Sequence, residues 1–223
     1  SGRHTGWDVI DHDVAVITNL NATSPTVNYA DRLMNINMSL AVNPATGDIT
    51  VVGTDGTNQV RFEPVIGGTF LRVNIGIVDD ADLANTDVTD LNAEHLALAQ
   101  PGGTDPYETP SVPQTERDKS IGDPRGIVWN AAGTRGYITG MGSNNLVVVD
   151  QNGDRVTTGA TTELREGPTG VVLSADESRL FVVNRFDASI SVVDTTSLTE
   201  VANITYFDPT PAAVKTGRKH LYD

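Results

Sequence analysis

The stretch "EGPTGVVLSADESRLFVVNRFDASISVVD", residues 166–194, decides the fold because the chain carries it twice. The other copy reads "DPRGIVWNAAGTRGYITGMGSNNLVVVD", residues 123–150. The two align without gaps: Pro124 pairs with Pro168, Tyr137 with Phe181 and Asp150 with Asp194, each pair 44 residues apart. Units that stack as blades repeat at roughly 40–50 residues, so this period points to a β-propeller.

The chemistry inside each unit agrees with the period. "GIVW" and "GVVL" are short apolar runs that suit buried first strands, and "GYITG" and "LFVVN" read as the second. Between them "AAGTR" and "ADESR" supply small and acidic residues that tolerate turn conformations. "NLVVVD" and "SISVVD" are third strands, apolar enough to be covered on both faces. "RVTTGAT" at 155–161 and "EVANITY" at 200–206 are the expected fourth strands. "DQNGD", residues 150–154, starts like a Ca²⁺ loop, but Thr161 stands where that loop needs Glu; Asn-Gly marks it as a turn.

Working outward, "LAVNPATGDITVVGTDGTNQVRFEP", residues 40–64, is an earlier copy, with Asn43 lying 87 positions, two periods, before Asn130. Only one blade's worth of strands fits in that interval. The excess is a polar, Pro-containing insertion at about residues 80–120, with a helical turn expected around "LNAEHLALA". "DHDVAVIT", residues 11–18, matches the third-strand position of a further, partial blade. The expectation is therefore an all-β propeller segment over 1–206, built of one partial and three complete four-stranded blades. Residues 207–223 form a junction segment. Closed propellers have 4–8 blades and open sheet edges invite pairing, so the remaining blades are expected from elsewhere, either further sequence or another chain.

Composition bounds the function. The chain has 223 residues, few aromatics (5%) and a turn-rich content of 21 Gly and 11 Pro, which favours short strands. A net charge of −14 argues against nucleic acid, whose phosphates need a basic face, and suits solubility or docking to a basic partner. No apolar run approaches the length of a membrane span. There is no Cys, which excludes disulfides, thiol catalysis and covalent haem attachment within these residues. G-x-S-x-G, P-loop and G-x-G-x-x-G motifs are missing, so no catalytic residue is assigned. "GMGSNN", residues 140–145, joins two strands rather than opening a helix, unlike a phosphate-binding loop.

Few residues offer themselves as sites. The acidic run Asp79, Asp80, Asp82, Asp87 and Asp90 has oxygen ligands suited to Ca²⁺, but its spacing does not fit an EF-hand, and a solvated loop is the plainer reading. His4, His12, His95 and His220 show no metal-type spacing. Arg61, Arg125 and Arg185 stand near loops or strand ends, where propellers bind ligands; a guanidinium at Arg125 suits a carboxylate or haem propionate, against the plainer alternative of an inter-blade ion pair. The tail adds Arg218, His220 and Tyr222 as interaction candidates.

These residues carry a resemblance. "GPTGVVLSADESRLFVVNRFDASISVVDTTSLTEV" looks like the YVTN-type β-propeller repeat of secreted bacterial and archaeal proteins. With "FDPTPAAVKTGRKHLYD" it is similar to propeller proteins fused to c-type cytochrome domains of the dihaem peroxidase group. The resemblance implies a periplasmic or extracellular protein in which haem c sits on an adjoining domain or partner. This chain would then be a non-catalytic scaffold or docking portion of an electron-transfer protein. Two alternatives stay open: a structural or adhesive propeller that assembles with other chains, and a propeller enzyme of the lactonase or lyase kind.

Overall fold

The computed structural model describes residues 11–57, 69–98 and 112–222, the last four of these as backbone only. Arg61 and His4 lie outside the described residues, as do the side chains of His220 and Tyr222.

Three four-stranded antiparallel meanders follow one another. The first runs β3 (Ile36–Val42), β4 (Ile49–Gly56), β5 (Leu71–Val78), β6 (Thr86–Asp90). The second is β7 (Pro124–Trp129), β8 (Gly136–Gly140), β9 (Asn145–Val149), β10 (Thr162–Glu163), and the third β11 (Pro168–Leu173), β12 (Arg179–Asn184), β13 (Ser189–Asp194), β14 (Thr199–Thr205). A two-stranded sheet, β1 (Val14–Thr18) with β2 (Thr26–Ala30), precedes them. The first strands β3, β7 and β11 lie side by side, as inner strands do around a propeller axis. Each enters its sheet through an irregularity of register, between Asn37 and Ser39, Pro124 and Gly126, and Pro168 and Val171. Three complete blades and one partial blade are what the repeat predicts.

The turns repeat as faithfully as the strands. Asn43, Asn130 and Ser174 close the first hairpin of their blades, each N–H donating to the carbonyl five residues on: Asp48, Arg135 and Arg179, at 2.8–3.0 Å. Asp79, Asp150 and Asp194 do the same service after the third strand, where Oδ1 accepts the N–H of Ala81, of Asn152 and of Thr196 at 2.8–3.0 Å. In "DQNGD" the turn expected from Asn-Gly forms with Gly153 at φ +83°.

Packing between blades follows the repeat. Val128, Tyr137, Leu146 and Val148 on one face of β7–β10 meet Val171, Leu180, Val182 and Val193 of the next blade. The opposite face of β7–β10 puts Ile127, Trp129, Ile138 and Val149 against Val52, Val73 and Ile75 of the blade before. β1–β2 obeys the same rule: Val14 and Val16 pack on Ile49, Val51 and Val78, as Leu146 and Val148 pack on the following blade. It is the outer, third-and-fourth-strand half of a blade.

Trp129 stands where the other blades have Val42 and Leu173, and Gly136 stands where they have Ile49 and Leu180. A Cβ at Gly136 would lie 3.1 Å from the indole, so the glycine makes room for the ring. The indole N–H donates to Thr50 Oγ1 at 2.9 Å, and that hydroxyl donates to Ala41 O at 2.9 Å, tying two blades. Trp129→Phe is expected to cost about 2–3 kcal/mol in a denaturant titration, because one buried hydrogen bond is lost and the smaller phenyl ring leaves part of the indole's space unfilled.

Two expectations need correction. The fourth strand at 155–161 is absent: β10 is only Thr162–Glu163, reached after a loop. Arg155 pairs with Val149 as a single antiparallel bridge; its guanidinium is buried, and the backbone leaves the ladder until Thr162. The stretch 80–120 is not wholly an insertion either. Thr86–Asp90 is the fourth strand β6, a polar rim strand whose sequence TDVTD carries one apolar residue. The insertion proper leaves after it and includes α1 (Ala93–Leu98), where the helical turn was expected, and α2 (Gln114–Arg117).

Candidate functional site

The base of the insertion is closed by one side chain. Asn92 donates through Nδ2 to Ile121 O at 2.9 Å and accepts the Ile121 N–H on Oδ1 at 2.8 Å. Beside it lies a buried cation. Arg155 is 8% exposed and donates to Lys119 O at 3.1 Å, Ala160 O at 2.7 Å and His95 Nδ1 at 3.2 Å. Accepting on Nδ1 makes His95 a neutral ring that carries its proton on Nε2, 3.2 Å from Ser120 Oγ. Burial, then the Arg155 charge, pulls the His95 pKa from 6.5 to about 4, and burial lowers Arg155 to about 10. This cluster joins the insertion to the second complete blade.

It does predict a pH dependence. The folded pKa of His95 lies below its unfolded value, so unfolding takes up a proton between them. The stabilisation is complete above pH 6.5 and is lost as pH falls towards 4, by up to about 3 kcal/mol. Chemical denaturation at steps across that window is expected to show this loss, and His95→Gln to flatten it.

The three arginine candidates that the structure describes with their side chains meet elsewhere. Arg125, Arg185 and Arg218 line one cavity of about 570 Å³, with Met141, Thr169, Phe186 and Val214. The repeat explains the convergence: Arg125 and Thr169 occupy one position in successive blades, and Met141 and Arg185 another. These are the entry of the first strand and the loop after the second. α3 (Ala212–Tyr222) covers the same place and brings Arg218. Asp123 holds Arg125, its carboxylate accepting from Nε at 3.0 Å and Nη2 at 3.1 Å. Arg218 sits 5.4 Å over the Phe186 ring and donates to Thr210 Oγ1 at 3.1 Å and Phe186 O at 3.4 Å. α3 is anchored at its start, where Lys215 Nζ lies 2.9 Å from Asp208. Sequence reasoning picked the arginines singly; the cavity was hidden because α3 folds back onto the blade face.

The acidic run does not converge in the same way. Asp79 spends its carboxylate on Ala81 N–H and on Asn85 Nδ2 at 3.1 Å, which holds its pKa down, and Asp82 accepts the Ala84 N–H at 3.1 Å. Asp87 and Asp90 stand on β6, Asp90 accepting the Asn92 N–H at 2.9 Å and lying 3.4 Å from Arg72. Asp80 lies by the turn at Gly47. Among the described residues no group of three His, Cys, Asp or Glu side chains is placed to hold a metal ion.

A second surface stands out by what it lacks. Val172, Phe181, Ile190 and Val192 are 44 residues beyond Val128, Tyr137, Leu146 and Val148. The earlier four are covered by the next blade; among the described residues no further blade covers the later four. Val172 is 55% exposed and Ile204 on the same sheet 55%, where Leu146 is fully buried. At the other end Leu40 and Val42 of β3, 59% and 53% exposed, stand at the positions of Ile127 and Trp129, which are buried.

No family model matches the sequence, and no curated protein does. Solved structures do. The hydrazine synthase of Kuenenia stuttgartiensis is 18% identical with a TM-score of 0.52, matched over 78% of this chain and 48% of that one. The periplasmic gluconolactonase PpgL of Pseudomonas aeruginosa is 11% identical with a TM-score of 0.53, over 83% and 47%. Apo AztD of Citrobacter koseri is 12% identical with a TM-score of 0.50, over 87% and 42%. The match spans a little under half the length of each of these three structures. At such identities the likeness concerns the fold alone, and with the sheet order and the repeat it makes this chain a run of β-propeller blades.

Proposed function

We propose that this chain is a docking and scaffold portion of a larger β-propeller assembly. In its finer form it belongs to a periplasmic or extracellular electron-transfer protein whose haem c is carried on an adjoining domain or partner. The observation that supports docking is the uncovered face of β11–β14. It repeats, residue for residue, a face that is buried one blade earlier, so it has the shape and apolarity of an interior surface. An exposed patch of that kind marks an interaction site. The haem link is supported by the resemblance of residues 206–223 to the segment that leads into cytochrome domains. Chemistry would then belong to the haem, and this chain would orient it.

The experiment is to isolate the protein with its associated species from its source and record intact masses and the absorption spectrum. A haem Soret band on a larger or co-purifying species is the expected result. Its absence overturns the haem-linked form. The gluconolactonase likeness supports a second reading, a propeller hydrolase, which predicts saturable hydrolysis of a sugar lactone by the same material.

A further inference from the structure

We propose that the cavity between the last two blades and α3 is a binding site for a carboxylate-bearing organic anion with an apolar body. It goes beyond the docking reading and does not depend on it.

Three guanidiniums converge on it in a chain of net charge −14, where scattered surface cations would ordinarily meet carboxylates. Among the described residues one carboxylate, that of Asp123, pairs with them. Asp123 is also the residue out of place. It adopts φ +48°, the left-handed region, and its repeat equivalent 44 residues on is Gly167 at φ +71°. "DP" thus replaces "GP" at a backbone position suited to glycine. Aspartate tolerates this region better than most residues, and here its side chain grips Nε and Nη2 of Arg125. That fork fixes one guanidinium at the cavity wall. Arg218 is fixed independently by Phe186 and Thr210. Arg185 is exposed and, among the described residues, forms no ion pair and no side-chain hydrogen bond. Two pre-oriented cations and one uncommitted one suit a planar carboxylate, which accepts two parallel N–H bonds from a guanidinium. Met141, Phe186 and Val214 supply the apolar remainder of the wall, the mixture of anchoring charge and hydrophobic lining usual in small-molecule sites.

The test is calorimetric titration of the whole chain with phthalate, dimethyl phthalate and inorganic phosphate. Saturable phthalate binding is expected, with none of the neutral ester and weaker binding of phosphate. Arg185→Gln, at an exposed position, should keep the thermal unfolding curve and weaken phthalate by about tenfold or more, the loss expected for one charge-assisted hydrogen bond. Asp123→Gly should weaken it several-fold while melting no lower than the parent, a pairing that a purely structural role for Asp123 would not produce. Absence of saturable phthalate binding overturns the proposal. So does equal affinity in Arg185→Gln, or phosphate binding as tightly as phthalate.

Discussion

Gly126→Ala is expected to destabilise the chain by about 3 kcal/mol or more, while Gly170→Ala, at the same position of the next blade, is expected to be neutral or slightly stabilising. The two glycines are 44 residues apart in equivalent first strands. A Cβ at Gly126 would lie 2.3 Å from Thr169 O, 2.9 Å from Thr139 Oγ1 and 3.2 Å from Val171 Cγ1. The first of these is backbone of the neighbouring blade, so the methyl group can be accommodated only by parting β7 from β11. A Cβ at Gly170 meets nothing within 4 Å, because among the described residues no blade packs against it; there the change mainly removes conformational freedom from the unfolded chain. Thermal unfolding reads the contrast as a fall of roughly 6–12 °C for the first variant at a few degrees per kcal/mol, and little change for the second. Equal costs would mean that the two positions share one environment.

Arg155→Met is the second large effect, a loss of about 3–5 kcal/mol. Methionine fills much of the space but donates nothing. The carbonyls of Lys119 and Ala160 and the Nδ1 of His95 would each lose a donor inside the protein, and unsatisfied buried acceptors cost about 1–3 kcal/mol apiece before relaxation. Loss of the cation relieves one burden, since burial is what lowers the Arg155 pKa, and this keeps the total below the sum. Because Arg155 links the insertion to its blade, limited proteolysis should show cleavage between residues 91 and 123 accelerated in this variant ahead of global unfolding. Arg155→Lys should fall between, as one ammonium cannot span acceptors on two sides. A variant as stable and as protease-resistant as the parent would contradict the role given to Arg155.

The repeat made the fold legible because blades bury both faces, and burial on both faces leaves near-continuous apolar strands such as "NLVVVD" and "SISVVD". Turn chemistry in "AAGTR", "ADESR" and the Asn-Gly of "DQNGD" was equally plain. What escaped notice was polar or displaced. β6 reads as loop because a rim strand needs few apolar residues, and the short β10 follows a loop whose arginine has a buried destination that no local pattern announces. Trp129 with Gly136 was a signal available in the repeat: a large residue gained where a neighbour became glycine. The site was half legible. Arg125 and Arg185 stand at strand ends where function gathers, but their meeting with Arg218 depends on α3 folding back, a long-range event. The glycine-to-aspartate exchange between positions 167 and 123 was the one clue in the sequence to that site, and it gains meaning only beside the backbone angle.

The last described blade presents to solvent a face that the preceding blade buries. The chain has no cysteine, so single cysteines report cleanly. Val172→Cys and Leu146→Cys, on that same face of the last blade and of the one before, should be labelled with a thiol reagent in the native chain, with Leu20→Cys, at a position 72% exposed, as the open reference. Val172→Cys is expected to react about as fast as the reference and Leu146→Cys at least about a hundredfold slower, limited by opening of the structure. Protection of Val172→Cys equal to that of Leu146→Cys would mean that the face is already covered, and would contradict the claim.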